Sequence, residues 1–148
     1  MVGTVRALFV VPEKKAAALS KDAVEVVDGG FDGDFHTGIA GKRQVLMISA
    51  ELLSEFQLPP GSLYENMVVA GIDVMALPEG AVLRVGNTTL KVTVPCDPCV
   101  QMDRVRPGLR QALERRRGMF ARVIEPGTIR VGDAVRVEND RDLFSESA

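Results

Sequence analysis

Short valine-rich stretches that resemble β-strands follow one another along this chain, separated by glycine and proline turns. The clearest pair, residues 81–85 and 88–94, flanks Gly86-Asn87, a two-residue hairpin signal. Strands do not alternate regularly with long helices, which argues against a doubly wound parallel sheet. The pattern therefore predicts a mainly β, mostly antiparallel barrel or sandwich of roughly eight or nine short strands, with two or three short helices.

The remaining elements follow from apolar runs and their boundary residues. Ser49 is expected to cap a short helix that runs through about Phe56. Pro107 fits the first turn of a later helix, and Gly118 is expected to end it. Further strands are predicted at residues 2–11, 23–27, 43–48, 67–70, 119–125 and 128–137.

The length and composition indicate one folded domain. The chain has 148 residues, of which 46% are hydrophobic and 26% are charged. We assign residues 1–138 to the domain and residues 139–148 to a polar tail. The apolar runs are too short to span a membrane, and the N-terminus reads as a strand and not as a signal peptide. We expect a cytoplasmic protein whose two cysteines stay reduced.

Positive charge is concentrated in one segment of an otherwise acidic chain. The formal net charge is −2, yet residues 104–122 contain seven arginines and one acid, Glu114. Arginine binds phosphate or carboxylate with two parallel hydrogen bonds, so the segment could hold an anion; a solvated helix face is the alternative. The acidic chain with few aromatic residues argues against nucleic acid as a partner.

An unusual loop is predicted at residues 28–42, with five glycines, three aspartates and the only histidine, His36. Such a density of glycine permits positive φ angles and close approach of the backbone to a ligand. Loops this long are often functional, although a surface loop stabilised by aspartate turns is the alternative. A calcium site is weakly supported, because the acids lack the spacing and closing glutamate of an EF-hand.

Both cysteines lie in the segment Cys96-Asp97-Pro98-Cys99, on a stiff extended loop. Four interpretations are open. A structural zinc site would need four ligands, more than this segment and His36 supply. A redox dithiol, a single reactive thiolate favoured by the downstream arginines, and two small buried hydrophobic residues are the others.

Several motifs combine into a resemblance that covers about residues 2–137. They occur in the order Gly33-Asp34-Phe35-His36-Thr37-Gly38, Glu65-Asn66-Met67-Val68-Val69-Ala70-Gly71, Pro98-Cys99 and Gly118-Met119-Phe120-Ala121-Arg122-Val123. The chain thereby resembles a MOSC domain, the molybdenum cofactor sulfurase C-terminal family, in its small stand-alone form. The order and spacing of the motifs are more specific than any one of them.

The resemblance implies a β-barrel of the pyruvate-kinase-barrel type with a cysteine at a ligand pocket. It implies the molybdenum cofactor (molybdopterin), sulfur carried as a cysteine persulfide, and a family association with pyridoxal phosphate. The family cysteine follows a proline and therefore maps onto Cys99, as the catalytic residue and a molybdenum ligand. The expected cofactor contacts are Asp34, His36, Gly38, Asn66, Arg117 and Arg122.

Two positions depart from the family pattern. Cys96 stands where many relatives carry an arginine, and Tyr64 stands where molybdoenzyme relatives often have another. Both departures leave room for a carrier or a divergent ligand.

The resulting hypothesis is a molybdenum-cofactor-binding or sulfur-carrier protein centred on Cys99. Its implied partners are a cysteine desulfurase or a molybdoenzyme. A sulfurtransferase or molybdenum-dependent oxidoreductase activity is left open. The alternatives are a non-catalytic module that binds an anionic partner through its arginines, and a Cys-x-x-Cys redox protein. We further predict that His36 shares a pocket with Cys99, and that Arg117 or Arg122 points at an anion there.

We expect Cys99→Ser to abolish sulfur transfer or cofactor retention, and Cys96→Ser to have the smaller effect. The reason is the match of Pro98-Cys99 to the family motif. The measurement is sulfur bound per protein by mass spectrometry, alongside metal analysis. Equal loss in both variants would favour the redox dithiol, which needs both sulfur atoms.

Overall fold

The chain is built around a closed barrel of β-strands. The computed structural model describes residues 1–37 and 41–138. Gly38, one of the expected cofactor contacts, and the expected polar tail at residues 139–148 lie outside the described residues.

The strands are short and are numbered in chain order. Those in the described residues are β1 (Val2–Val10), β2 (Leu19–Lys21), β3 (Ala23–Val27), β4 (Gly30–Phe31), β5 (Val45–Ser49), β6 (Met67–Ala70), β7 (Val82–Val85), β8 (Thr88–Pro95), β9 (Met119–Glu125), β10 (Gly127–Arg130) and β11 (Ala134–Glu138).

Within the described residues, seven strands form the barrel in the order β1, β11, β7, β8, β9, β5, β6. Pairing of β1 with β11 closes it, with Val2 opposite Arg136 and Thr4 opposite Ala134. Strands β5 and β6 run parallel, and the other pairings of the described strands are antiparallel. Strands β10, β3 and β4 form a second, smaller sheet. The predicted mainly antiparallel β-barrel is confirmed.

Short helices cover part of the barrel. They are α1 (Ala50–Glu55), α2 (Gln101–Val105) and α3 (Leu109–Ala112), with a 3-10 turn at Val74–Ala76. None of the helices in the described part of the chain is long and apolar enough to cross a membrane.

Two hydrophobic clusters explain why several strands read as continuous apolar runs. Alternate residues of β5, such as Val45 and Met47, fill the barrel interior. Ile48 of the same strand faces outward and packs with Met102 of α2 and Leu109 of α3. Both faces of β5 are therefore buried, which removes the polar–apolar alternation expected of a half-exposed strand. The outer cluster also holds α2 and α3, and hence the cysteine loop before them, against the barrel.

The predicted helix from Pro107 to Gly118 is wrong. Helix α2 ends before Pro107, because the residue preceding a proline is disfavoured in the helical region; Arg106 is extended, with φ −157°. Gly108 then adopts φ 84°, in the left-handed region, before α3 begins. The predicted range therefore contains only the short helix α3, because α2 lies entirely before Pro107.

The predicted loop at residues 28–42 begins as a hairpin. Strand β4 pairs with β3, with Val27 opposite Gly30 and Val26 opposite Phe31. This strand and β2 were not predicted, since runs of two and three residues are too short to show alternation. The hairpin fixes where the glycine-rich loop leaves the sheet.

We expect Gly118→Ala to destabilise the fold. An added Cβ would overlap the carbonyl oxygen of Met47 on β5, so the backbone must shift. Forced overpacking of this kind costs about 1–3 kcal/mol. The free energy of unfolding in urea measures the effect. Gly41→Ala is the matched control, because a Cβ there meets no atom within 4 Å; equal stability of both variants would contradict the expectation.

Candidate functional site

Cys99, His36 and Arg117 line one cavity of about 430 Å³, here called the cysteine pocket. His36 comes from the glycine-rich loop after β4, Cys99 from the segment between β8 and α2, and Arg117 from the turn before β9. Small-molecule sites commonly have volumes of about 300–1,000 Å³. The pocket is therefore large enough for a small ligand.

The loop that carries the thiols, residues 96–99, is anchored at both ends. The Cys96 N–H donates to the carbonyl of Gly118 at 2.9 Å, next to the pairing of β8 with β9. The Cys99 carbonyl accepts the N–H of Met102 at 2.9 Å, where α2 begins. Cys96 is buried and Cys99 is exposed. A molecule from solvent therefore meets Cys99 first.

The environment of Cys96 favours its neutral thiol. Burial is the largest influence and raises the pKa of the Cys96 thiol. The guanidinium groups of Arg117 and Arg43 oppose this rise in pKa, whereas Cys99 and Asp97 add to it. The net effect is a raised pKa, so Cys96 is the less reactive thiol toward reagents in solution.

Asp34 holds His36 in one orientation. Its Oδ2 accepts the backbone N–H of His36 at 3.0 Å and lies 2.9 Å from the ring Nδ1. An ionised carboxylate only accepts hydrogen bonds, so Nδ1 carries the proton of this contact. Nε2 is the ring nitrogen left for a ligand in the cysteine pocket.

The other oxygen of the Asp34 carboxylate is also saturated. Oδ1 accepts the N–H of Val11 at 2.7 Å and the side-chain amide of Asn66 at 2.9 Å. Burial acts to raise the pKa of Asp34, but the hydrogen bonds from His36 and Val11 outweigh it and hold the pKa below its ordinary value. Asp34 is therefore a buried, ionised anchor for His36.

Asn66, expected to contact a cofactor, is fully buried and fully used within the protein. Its Oδ1 accepts the N–H of Leu46 at 2.9 Å, and its Nδ2 donates to the Phe9 carbonyl at 3.3 Å as well as to Asp34. Asn66 does not line the cysteine pocket. It ties β1, β5 and the glycine-rich loop together, and reaches a ligand only indirectly, through Asp34 and His36.

Arg117 brings a buried charge to the wall of the pocket. Its side chain donates to the carbonyl of Leu63 at 2.7 Å and to that of Asp97 at 3.3 Å. The Nε atom is buried and has no hydrogen-bond partner among the described residues. No ion pair between Arg117 and a described residue is present. The guanidinium therefore carries a charge that an anion could balance.

Glu65 is a buried acid that interacts electrostatically with Arg117. Glu65 accepts the N–H groups of Gly61 at 2.7 Å and Leu63 at 3.1 Å. Burial is the largest influence on this carboxyl and raises its pKa, which favours the neutral form. The charge of Arg117 opposes this rise in the pKa of Glu65, although no ion pair joins the two side chains.

The charged side chains that line the cysteine pocket are all cationic among the described residues. Besides Arg117 they are Lys14, Lys15, Arg43 and Arg104. Lys14, Lys15 and Arg43 were missed from the sequence, because they are far from residues 104–122 along the chain and only folding brings them together. The pocket is therefore suited to an anionic ligand.

Several arginines of residues 104–122 lie outside the cysteine pocket or contact other parts of the protein. Arg122 lies exposed on β9, outside the lining of the pocket. Arg116 pairs with Glu55 at 2.7 Å, and Arg106 donates to the carbonyl of Phe56 at 2.6 Å. Of the two arginines expected to face an anion near Cys99, only Arg117 lines the cysteine pocket, and Arg104 lines it as well.

Aromatic rings stand beside the cations. The ring centroid of His36 lies 3.9 Å from that of Phe35 and 5.8 Å from that of Phe120, the latter in an edge-to-face arrangement. All three rings line the cysteine pocket. Such a wall favours a flat, unsaturated ligand over a small inorganic ion.

Metal ligands are not clustered in the described residues. No group of three or more His, Cys, Asp or Glu side chains there is arranged to hold a metal ion. The zinc and calcium interpretations therefore gain no support.

We expect Asp34→Asn to lower the free energy of unfolding by about 2 kcal/mol at pH 7, since hydrogen bonds to a buried charge are lost. The folded pKa is depressed, so the stabilisation is present above the unfolded pKa of about 3.9 and is lost as pH falls through the folded pKa. Urea unfolding at pH 7 and at successively lower pH measures this difference, which should shrink.

Exposed Asp32 in the same loop supplies the control, Asp32→Asn, which should change stability by less than about 0.5 kcal/mol. His36 is the only histidine, so its ring nitrogens can be observed directly by nuclear magnetic resonance. Loss of the Nδ1–H tautomer in Asp34→Asn is expected. An unchanged tautomer would show that Asp34 does not orient the ring.

Several solved structures share this fold. The YuaD protein of Bacillus subtilis aligns over 93% of this chain and 96% of its own, with a TM-score of 0.82 and 24% identity. YiiM of Geobacillus stearothermophilus gives a TM-score of 0.77 at 16% identity, over 93% of this chain and 75% of its own. YiiM of Escherichia coli gives 0.70 at 16% identity, over 92% and 70%. At these identities the likeness concerns the fold.

None of the curated proteins matches the chain significantly. The family model for the MOSC domain matches residues 32–136, which include the glycine-rich loop from Asp32 onward, Asn66, both cysteines and Arg117. This match covers more than half of the chain, and the protein therefore belongs to the MOSC domain family.

Proposed function

We propose that the protein carries sulfur on Cys99 beside a pocket that binds the phosphate-bearing molybdenum cofactor. One observation carries the proposal. The exposed thiol of Cys99 shares a cavity with the buried, hydrogen-bond-deficient guanidinium of Arg117 and with further cations. A soft nucleophile and an anion site thus occur together.

The residues of the cysteine pocket fit the molybdenum cofactor in three respects. Arg117 and Arg104 suit its phosphate, because guanidinium groups bind phosphate through two parallel hydrogen bonds. Phe35 and Phe120 offer apolar faces to a flat pterin. Cys99 supplies the soft sulfur ligand that a thiophilic metal prefers. When bound, the cofactor would supply a redox-active metal centre.

Sulfur uptake needs only the thiolate of Cys99 and a persulfide donor. The Cys99 sulfur attacks the outer sulfur of the donor persulfide, a new sulfur–sulfur bond forms, and the donor leaves as its own thiolate. Electrons balance, since the sulfane sulfur is transferred without change of oxidation state. The cationic lining of the pocket is suited to an anionic persulfide product.

His36 is the residue suited to handle the proton of this exchange. With Nδ1–H held by Asp34, its Nε2 can accept a proton from a thiol or donate one, once charged, to a leaving group. The partner that donates or accepts sulfur would be a cysteine desulfurase or a molybdoenzyme.

The rival function, an anionic partner bound through the whole arginine segment, is less well supported. Arg106 and Arg116 are engaged in contacts with the loop after α1 and with α1 itself. Those contacts attach α2 and the turn before β9 to the barrel. Lysine and arginine side chains from four separate parts of the chain line the cysteine pocket.

A comparison of two exposed arginines tests the proposal. We expect Arg104→Ala to weaken cofactor retention about tenfold, the loss of one good charge-assisted contact. Arg122→Ala is the matched control, because Arg122 is equally exposed but lies outside the pocket. Protein purified from a molybdenum-replete host is analysed for molybdenum, and for sulfur on Cys99 by mass spectrometry. Equal retention in the two variants, or no molybdenum and no bound sulfur in the unaltered protein, would contradict the proposal.

A further inference from the structure

The two thiols of the cysteine pocket differ in access to solvent. Both line the pocket. Cys99 is exposed, whereas Cys96 is 8% exposed and packs against Leu46 and Phe120. Sulfur donors in solution therefore reach Cys99, and Cys96 is screened by its neighbours. The two thiols therefore differ in what they can react with, and Cys96 can have a function separate from that of Cys99.

We propose that Cys96 is a resolving thiol, which attacks a persulfide on Cys99 and releases its outer sulfur as hydrosulfide. The inference rests on the proposed sulfur-carrier function and adds a route by which bound sulfur is released. Sulfur that no acceptor collects leaves the protein, and the two cysteines become joined by a disulfide.

The step balances in atoms and electrons. The proton of the Cys96 thiol passes to the outer sulfur of the persulfide, and the Cys96 thiolate attacks the inner sulfur, the Sγ of Cys99. A bond forms between the two cysteine sulfurs, and the bond between Cys99 Sγ and the outer sulfur breaks. The outer sulfur leaves as hydrosulfide with the electron pair of that bond. It is thereby reduced by two electrons, and the two thiols are oxidised by two. A small dithiol reductant restores the starting state.

The surroundings of the pair favour this step. The two cysteines are three positions apart in one anchored loop, and each end of the loop is held by a backbone hydrogen bond of 2.9 Å. Both cysteine side chains line the cysteine pocket, and so does Arg117, whose charge acts on Cys96. Arg117 opposes the cost of forming the Cys96 thiolate, and the cationic lining stabilises a departing anion. The chain has no other cysteine to compete.

The burial of Cys96 sets the speed of the step. Burial, opposed by Arg117 and Arg43 and reinforced by Cys99 and Asp97, raises the pKa of the Cys96 thiol. The attacking thiolate is therefore scarce at neutral pH and increases with pH. A persulfide on Cys99 thus has time to meet an acceptor before it is resolved.

The test follows a persulfide after loading. Full-length protein is incubated with a low-molecular-weight cysteine persulfide, the donor is removed, and released hydrosulfide and protein mass are followed. The unaltered protein should gain one sulfur on Cys99, then lose it as hydrosulfide while one disulfide joins Cys96 to Cys99. Cys96→Ser and Cys96→Ala should still gain the sulfur on Cys99 but keep it at least about tenfold longer, without the disulfide.

The outcomes separate this inference from the proposed function. If the Cys96 variants load sulfur and lose it at the rate of the unaltered protein, the resolving role is overturned and the carrier function stands. Sulfur found on Cys96 in place of the disulfide would also overturn it, because the outer sulfur was then attacked. Failure of the unaltered protein to load would overturn both. Thermal unfolding of both variants checks that the fold is retained.

Discussion

The buried carboxylate of Asp34 connects the framework of this protein to its pocket. One oxygen binds the backbone at Val11 and the amide of Asn66, and the other holds both the backbone and the ring of His36. An ionised group in the interior is tolerated only when its hydrogen bonds are satisfied, and here both oxygens are. Loss of this charge would therefore release the glycine-rich loop from the barrel and His36 from its orientation together.

The second constraint is the pairing of the barrel's outer face with its short helices. Phe9, Ile48 and Val68 point away from the barrel interior and are covered by α1, α2 and α3. Because α2 and α3 are fixed in this way, the cysteine loop before them and the Arg117 turn after them approach each other. The hydrophobic contact that holds α2 and α3 against the barrel thus also positions the thiols, which precede α2, and the Arg117 guanidinium, which follows α3.

Charge and reactivity in the pocket follow from unequal burial. Cys96 and Arg117 are buried, while Cys99 and Arg104 are exposed. Solvent screens the charge of the buried Arg117 guanidinium less than it screens a charge at the surface. Molecules from solvent reach the exposed Cys99 thiol first, and the buried Cys96 thiol reacts only with sulfur that Cys99 already carries. The same contrast supports both the proposed carriage of sulfur on Cys99 and its proposed release through Cys96.

Turn residues and apolar runs predicted a mainly β fold and the hairpin at Gly86-Asn87, because both are local signals. The order and spacing of the motifs indicated the family and, together with residue chemistry, Cys99, His36 and Arg117. Folding places Asn66 in the interior and Arg122 outside the pocket, and it adds Lys14, Lys15 and Arg43 to the pocket lining. The burial of a side chain and the meeting of distant residues in one pocket depend on how strands far apart in sequence pair and close the barrel. Local sequence patterns do not predict that pairing. The division of one Cys-x-x-Cys motif into a buried and an exposed thiol has the same cause.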